Sequence, residues 1–395
     1  MTRIGIMGNG VAAVTAIREI RKLESSVTID VFSDEKYAYY PKPKLIEFIA
    51  GRIPQEKVIQ YDVDWYRKQD ISLHLDETVV RIELSSRSLL TRKSTHFSYD
   101  RLLVVPGSIP LVPPIHGTEK KNVYVLRTLD DAISIKEAIA TARRAIVIGG
   151  GILGIELAAA MKARGRELVV INNIARLLPQ QLDDGASSML AERLKATGLE
   201  LLLGFNCEQI IGHESVTGVM SSGGDKVKGD MVVIAAGVRP NKTVAQESGL
   251  LCGRGVKVDS TMKTSADGVY AAGDCIEWNG QTWGIIPAAL ETGRVAAQNI
   301  VQHGSAAFDG IVPSNTLQVA GIDLTSLGVI NPLSTEYESI VSSDADAGTY
   351  FKAVLKDHVV VGGIALGDKK VALKLRQLVT SGTDVTDMRE SIFET

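Results

Sequence analysis

Two short glycine-rich stretches hold most of the chemistry legible in this sequence. Residues 145–161 read AIVIGGGILGIELAAAM: an apolar run, then Gly149, Gly151 and Gly154 at the spacing G-x-G-x-x-G, then helix-forming residues. In such a strand-to-helix turn the first glycine permits a tight bend, the second lets backbone approach a pyrophosphate, and the third lets helix pack close on strand. The helix start faces the phosphates with unpaired N–H groups and a partial positive charge. Residues 3–17, RIGIMGNGVAAVTAI, repeat the design with Gly8, Gly10 and, in the third small position, Ala13. Two copies, each followed by a second strand, imply two nucleotide cofactors side by side, such as a flavin and a nicotinamide.

Further candidates stand where strands end. The alternating, β-branched run 27–32 stops at Ser33-Asp34-Glu35, and acids at the tip of the second strand of such a unit accept hydrogen bonds from a ribose 2′-OH. The matching strand of the second copy, 168–171, stops at Asn172-Asn173 and has no acid. Residues 39–44, YYPKPK, form a proline-stiffened loop whose lysines, Lys42 and Lys44, could sit over phosphates or beside an isoalloxazine ring. Asp274, in the small-residue turn of VYAAGDC, is a candidate partner for the polyol chain of a flavin. A helix predicted over 287–302 could turn its N-terminus toward the flavin carbonyl that gains negative charge on reduction. Cys207, Cys252 and Cys275 are isolated, with no CxxC, no metal-like His/Cys cluster and no disulfide framework, and read as structural thiols.

Elements of ordinary type position these groups. At 395 residues the chain has room for two or three domains. Apolar content of 45% and charged content of 23% are those of a globular protein. A net charge of −3 without a basic stretch argues against nucleic-acid binding. The N-terminus lacks a secretory pattern, since Gly8-Asn9-Gly10 interrupts its apolar run. Residues 145–161 are too short, too glycine-rich and interrupted by Glu156, so no membrane span is expected and the protein reads as cytoplasmic. The sequence sets no oligomeric state. Strands are expected at 78–82, 102–107, 231–237 and 269–275, and helices at 128–142 and 182–197. Residues 108–117, rich in proline, read as a crossover linker. The expected organisation is a discontinuous unit of residues 1–112 and 242–311, a second unit of 113–241, and a C-terminal unit of 312–395. That last unit carries a hairpin around 356–358 and a helix over 371–379, has no catalytic cluster, and reads as an interface or docking domain.

The order of glycine loop, second-strand acid, PGSIP turn, second glycine loop, AAG strand and VYAAGDC resembles the FAD-dependent pyridine nucleotide–disulfide oxidoreductase superfamily. Within it, EKYAYYPKPKL (35–45), PSNTLQVAGIDL (313–324) and the GG-IALGDKK stretch resemble the NADH:rubredoxin oxidoreductases and the flavoprotein part of nitrite reductase large subunits. The resemblance implies an α/β fold with two Rossmann-like domains of glutathione-reductase type and a small α+β C-terminal domain. It implies FAD on the first unit, with contacts at Gly8, Gly10, Ala12, Asp34, Glu35, Lys42, Val79, Arg127, Asp274 and Ile286. It implies NAD(P)H on the second, with contacts at Gly149, Gly151, Leu153, Gly154, Glu156, Asn172 and Gly237. Glu156 and Lys42 are the catalytic candidates, Glu156 being the family's acid near the meeting point of nicotinamide and flavin.

The departures from the family pattern bear on mechanism. The disulfide-reductase branch keeps a CxxxxC pair on the first helix, and the coenzyme A disulfide reductase branch keeps one Cys in the loop occupied here by residues 39–45. Both are absent, so the flavin itself must pass electrons on. Relatives with an R-P-P-L-S-K loop place lysine where this chain has Glu47, the family's T-G turn reads Val105-Pro106-Gly107, and Asn172 replaces the usual acid of NADH-preferring members. The reading is hydride transfer from NAD(P)H to FAD, then single electrons to a small carrier such as rubredoxin, a ferredoxin-like protein or a flavodiiron partner. The alternatives are an NAD(P)H oxidase reducing O₂, and a nucleotide-binding redox subunit or sensor with little turnover.

Overall fold

The strand Arg3–Met7 lies at the centre of a five-stranded parallel sheet in the computed structural model, which describes residues 2–319 and 321–395. Ala320, within the 313–324 stretch, lies outside the described residues. The sheet runs Val269–Ala271, Arg101–Val104, Arg3–Met7, Thr28–Phe32, Ile71–His74. Its strands are apolar on both faces, with Ile4, Ile6, Leu102, Leu103 and Val31 buried, as parallel strands covered by helices on both sides must be. The strand Val269–Ala271 completes the sheet from far along the chain, pairing parallel with Arg101–Val104. The helix Val11–Leu23 follows the first strand and packs against Ile286–Val301, where the space for a Cβ on Gly293 is taken by the Ala12 carbonyl, 2.7 Å away.

The second sheet repeats the plan with its own residues. It runs Glu200–Leu203, Glu167–Asn172, Arg144–Ile148, Met231–Ile234, Val123–Val125, all parallel. In each sheet the strand before the glycine loop sits where the strand order reverses, and the crevice beyond its carboxyl end is where such sheets bind ligands. Each unit also carries a three-stranded antiparallel meander, Val79–Glu83 to His96–Ser98 in the first and Cys207–Ile211 to Lys226–Lys228 in the second.

Element ends differ from the sequence reading for local reasons. The helix expected over 182–197 spans Asp184–Ala196, because the Asp183 carboxylate accepts from the Ala186 N–H and caps it. The 108–117 segment is not all linker: Ser108–Pro110 pairs antiparallel with Val238–Pro240, a two-stranded ribbon joining the two units. VYAAGDC is strand only to Ala271 and then turns through a 3₁₀ segment at Gly273–Cys275.

The C-terminal unit is a five-stranded antiparallel sheet, Ser314–Val319, Ile322–Gly328, Val359–Leu366, Thr349–Lys356, Tyr337–Asp344, with the helix Lys369–Ser381 on one face. Alternate residues go opposite ways, as strand pleating requires. Leu327, Ala353, Leu355 and Ala365 pack with Val371 and Leu375 of the helix. Leu317, Leu324, Ile364 and Leu366 join the core of the second unit. Asp183 pins that contact, receiving the Tyr350 hydroxyl at 2.7 Å and the Lys352 ammonium at 2.9 Å.

Candidate functional site

The first glycine loop has the form of a nucleotide cradle. Gly8 has φ +113°, and a Cβ there would come within 2.2 Å of the Val105 carbonyl oxygen, so only glycine makes this bend. Gly10 caps the helix Val11–Leu23 with no side-chain cap, and a Cβ on it meets nothing within 4 Å. The start of the helix is thus capped by no side chain, and the space beside Gly10 is open. The Ala12 side chain is buried against Gly273, and its backbone lies against Gly293 of the neighbouring helix. Beside the loop, Asn9 accepts a hydrogen bond from the Tyr66 hydroxyl at 2.7 Å while its buried Nδ2 has no partner, an orphaned donor that fits a ligand acceptor. The loop thus fits a dinucleotide pyrophosphate.

Around this cradle the expected residues fall in three groups. At the tip of Thr28–Phe32, Asp34 is exposed, whereas the Glu35 carboxylate is engaged by Lys42 Nζ at 2.8 Å and by the Tyr40 hydroxyl. The Tyr40 oxygen in turn accepts from the Leu129 N–H of the second unit at 2.8 Å. Burial holds the Lys42 ammonium below its ordinary pKa in spite of Glu35. On the other side, the Asp274 carboxylate accepts from the Ser108 hydroxyl at 2.7 Å and lies 3.6 Å from Arg127 Nη2. Burial raises Asp274 although Ser108 and Arg127 oppose it. Thr292 fixes its turn by accepting from the Gly273 N–H at 3.0 Å. Val79 is a core residue at the start of its strand, and Ile286 opens the helix Ile286–Val301 with 46% of its surface exposed. Lys44 reaches the Lys57 carbonyl and takes no part in these networks, and Glu47 is exposed on the short helix Lys44–Ile49.

The second loop has the same backbone with different support. Gly149 has φ +128°, and a Cβ there would lie 2.3 Å from the Ala235 carbonyl. Gly151 caps Ile152–Lys162 with no side chain and open space beyond it. Gly154 abuts the Gly149 carbonyl, where a Cβ would come within 2.0 Å. Asn172 is 8% exposed and its amide is fully engaged: Oδ1 accepts from the Gly150 N–H, and Nδ2 donates to the Ile174 and Arg176 carbonyls, each at 3.0 Å. It braces the loop from behind. Leu153 is half-buried at the helix start. Glu156, two residues after Gly154, makes no hydrogen bond or ion pair among the described residues, and burial raises its carboxyl to about 7.

A single segment connects the two cradles. The Ala235 carbonyl lies under Gly149, the Gly237 carbonyl accepts from the Leu111 N–H at 2.9 Å, and Val238 stands 3.2 Å from the position of a Cβ on Gly284, just before the helix at Ile286. Ser108, on the paired strand, holds Asp274. Sequence reasoning missed the roles of Ser108, Tyr66, Tyr40 and Thr292. Each has a partner outside its own segment, and the only signals were the place of Ser108 in the PGSIP turn and of Tyr40 in the YYPKPK loop. Burial pushes the Cys207 thiol up to about 11 and Cys275 up to about 12, and all three cysteines are free, so their thiolate forms are suppressed. Among the described residues no group of three or more His, Cys, Asp or Glu side chains could hold a metal, and no helix is long and apolar enough to cross a membrane.

Comparison with known proteins agrees with this geometry. A family model described as pyridine nucleotide-disulphide oxidoreductase matches residues 2–304, and one described as rubredoxin NAD+ reductase C-terminal domain matches residues 313–383. The chain is 32% identical over 99% of its length to the assimilatory nitrate reductase electron transfer subunit of Bacillus subtilis, covering 51% of that protein. It is 28% identical to the NADH-rubredoxin oxidoreductase of Clostridium acetobutylicum, over 96% of this chain and 95% of the relative. The crystal structure of NADH:rubredoxin oxidoreductase from that organism superposes with a TM-score of 0.82 at 27% identity, covering 98% of this chain and 96% of the other. The chain spans about half the length of the first curated relatives it matches, 51% and 48%.

Proposed function

We propose, on the premise that this chain belongs to the pyridine nucleotide-disulphide oxidoreductase family, that it takes hydride from NAD(P)H and passes electrons singly to a small redox carrier in the cytoplasm. Its cofactors are those of the family, FAD and NAD(P)H. Bound FAD would supply two-electron acceptance from a nicotinamide and one-electron release to an acceptor. In this reading Gly8 and Gly10 hold the FAD pyrophosphate against the open helix start, Glu35 and Lys42 serve its adenosine side, and Asp274, held by Ser108, receives its polyol chain. The helix start at Ile286 faces the ring, where its dipole favours negative charge. Gly149, Gly151 and Gly154 hold the second nucleotide, and Glu156, reached by no cation, lines the approach of its nicotinamide.

The observation that supports this reading most is the convergence of both cradles on residues 235–238, one end under Gly149 and the other against the Asp274 and Ile286 side. Holding donor and acceptor in contact and excluding water is what such a site must contribute. The carrier is proposed to be rubredoxin, a ferredoxin-like protein or a flavodiiron partner, by likeness to relatives so named. Anaerobic mixing with NADH and NADPH tests the first half-reaction, with rapid bleaching of flavin absorbance expected. Adding purified rubredoxin, ferredoxin or flavodiiron protein tests the second. Reoxidation by O₂ alone, with every carrier inert, would favour an oxidase instead.

A further inference from the structure

We infer that Arg176 is a latent ligand for a nucleotide 2′-phosphate and that Asp184 competes for it, so that this pair, not Asn172, sets the choice between NADH and NADPH. The inference rests on the proposed second crevice. At the tip of the second strand of a dinucleotide unit an acid selects the free ribose, or a nearby arginine accommodates the 2′-phosphate. Asn172 occupies the acid's place, yet its three hydrogen bonds to Gly150, Ile174 and Arg176 turn the amide inward, and it is buried. It is therefore not available to either ribose.

Those same bonds place Arg176. Its carbonyl is tied to Asn172 Nδ2 at 3.0 Å, and two residues later the Leu178 N–H donates to the Gly150 carbonyl at 2.9 Å. The Arg176 backbone is thus fastened to the glycine loop itself, within the reach of a guanidinium side chain from the strand tip. The guanidinium is turned to the next helix, with Nη1 2.6 Å from Asp184 Oδ1 and Nη2 3.3 Å from the Pro179 carbonyl. The Asp184 side chain is 89% exposed and that of Arg176 33%. An exposed ion pair of this kind is weak, whereas a guanidinium meeting a phosphate makes charge-assisted, bidentate bonds. The neighbouring Asp183 is held by Tyr350 and Lys352 of the C-terminal unit, and it is Asp184 that pairs with Arg176.

Direct binding of adenosine fragments to the FAD-loaded protein tests the pair without turnover. Isothermal titration with 2′,5′-ADP and 5′-AMP should show the doubly phosphorylated fragment binding at least as tightly in the wild type. Arg176→Gln should weaken 2′,5′-ADP roughly tenfold more than 5′-AMP, and Arg176→Lys should restore part of that difference. Asp184→Asn should tighten 2′,5′-ADP by about threefold and move 5′-AMP by less than that, as expected for loss of a weak competing pair. A ratio of the two affinities that Arg176→Gln leaves in place, or an Asp184→Asn protein with unchanged 2′,5′-ADP affinity, would overturn the inference. Gly151→Glu separates it from the underlying reading: both fragments should lose binding there. Equal binding to wild type and Gly151→Glu would show that the second crevice itself is misplaced.

Discussion

The two glycine loops are near copies in sequence and backbone, and they differ in what closes around them. The first is flanked by hydrogen-bond networks from several segments. Asn9 is held by Tyr66, Ala12 lies under Gly273 and Gly293, and Ser108, Arg127 and Thr292 converge on the Asp274 turn from three other segments. The second is braced from behind by Asn172 and has Ile174, 45% exposed, at its rim. A Rossmann turn supplies only the phosphate site. The surroundings decide whether its nucleotide stays resident or exchanges, and in the proposed reading they retain FAD on the first loop and let NAD(P)H exchange on the second.

Substitutions can break that contrast, beginning with the largest effect. Gly10→Glu places a carboxylate in the first cradle at a cost of several kcal/mol to a bound pyrophosphate, so the purified protein should be colourless. A yellow, fully loaded variant would remove the FAD assignment. Gly151→Glu should keep the flavin yet raise the KM for NAD(P)H by about a hundredfold or more, and unchanged flavin reduction would show the second loop to be idle. Asp274→Ala should weaken FAD retention by about 1–3 kcal/mol, the range for removing one partner of a buried charged network, measured as flavin lost on dialysis.

Glu156→Gln sharpens the contrast most gently. A carboxyl raised by burial from its ordinary range to about 7 binds its proton more tightly in the folded chain than in the unfolded one. Below the unfolded pKa it costs nothing; the penalty grows as pH rises from there to about 7 and is constant beyond. Glu156→Gln should therefore match wild type in stability near pH 5 and exceed it by about 1–2 kcal/mol near pH 8, as read by urea unfolding. A flat difference across that range would show that Glu156 is ionised throughout.

Much of this was legible in the sequence because the informative signals are local. A glycine that must adopt positive φ, such as Gly8 or Gly149, leaves its mark within a few residues, and so does an apolar strand before it. The capping of Asp184–Ala196 by Asp183 is local too, but a capping acid looks like any surface acid until the helix is seen. What stayed hidden depends on contacts between distant segments. Ser108 and Asp274 lie 166 residues apart, and the ribbon of Ser108–Pro110 with Val238–Pro240 begins in what reads as a proline-rich linker. Asn172 was expected to face a ribose. Its type is compatible with that, and only the fold reveals that its amide turns toward Gly150.

The central claim is that electrons pass from nicotinamide to flavin and outward with no sulfur between. Anaerobic titration of the holoprotein with NAD(P)H counts the electron-accepting groups directly. The account predicts complete bleaching of the flavin at one equivalent, with the same endpoint when Cys207, Cys252 and Cys275 are replaced by Ser. A requirement for two equivalents, falling to one in the cysteine-free protein, would reveal a redox-active disulfide and contradict it.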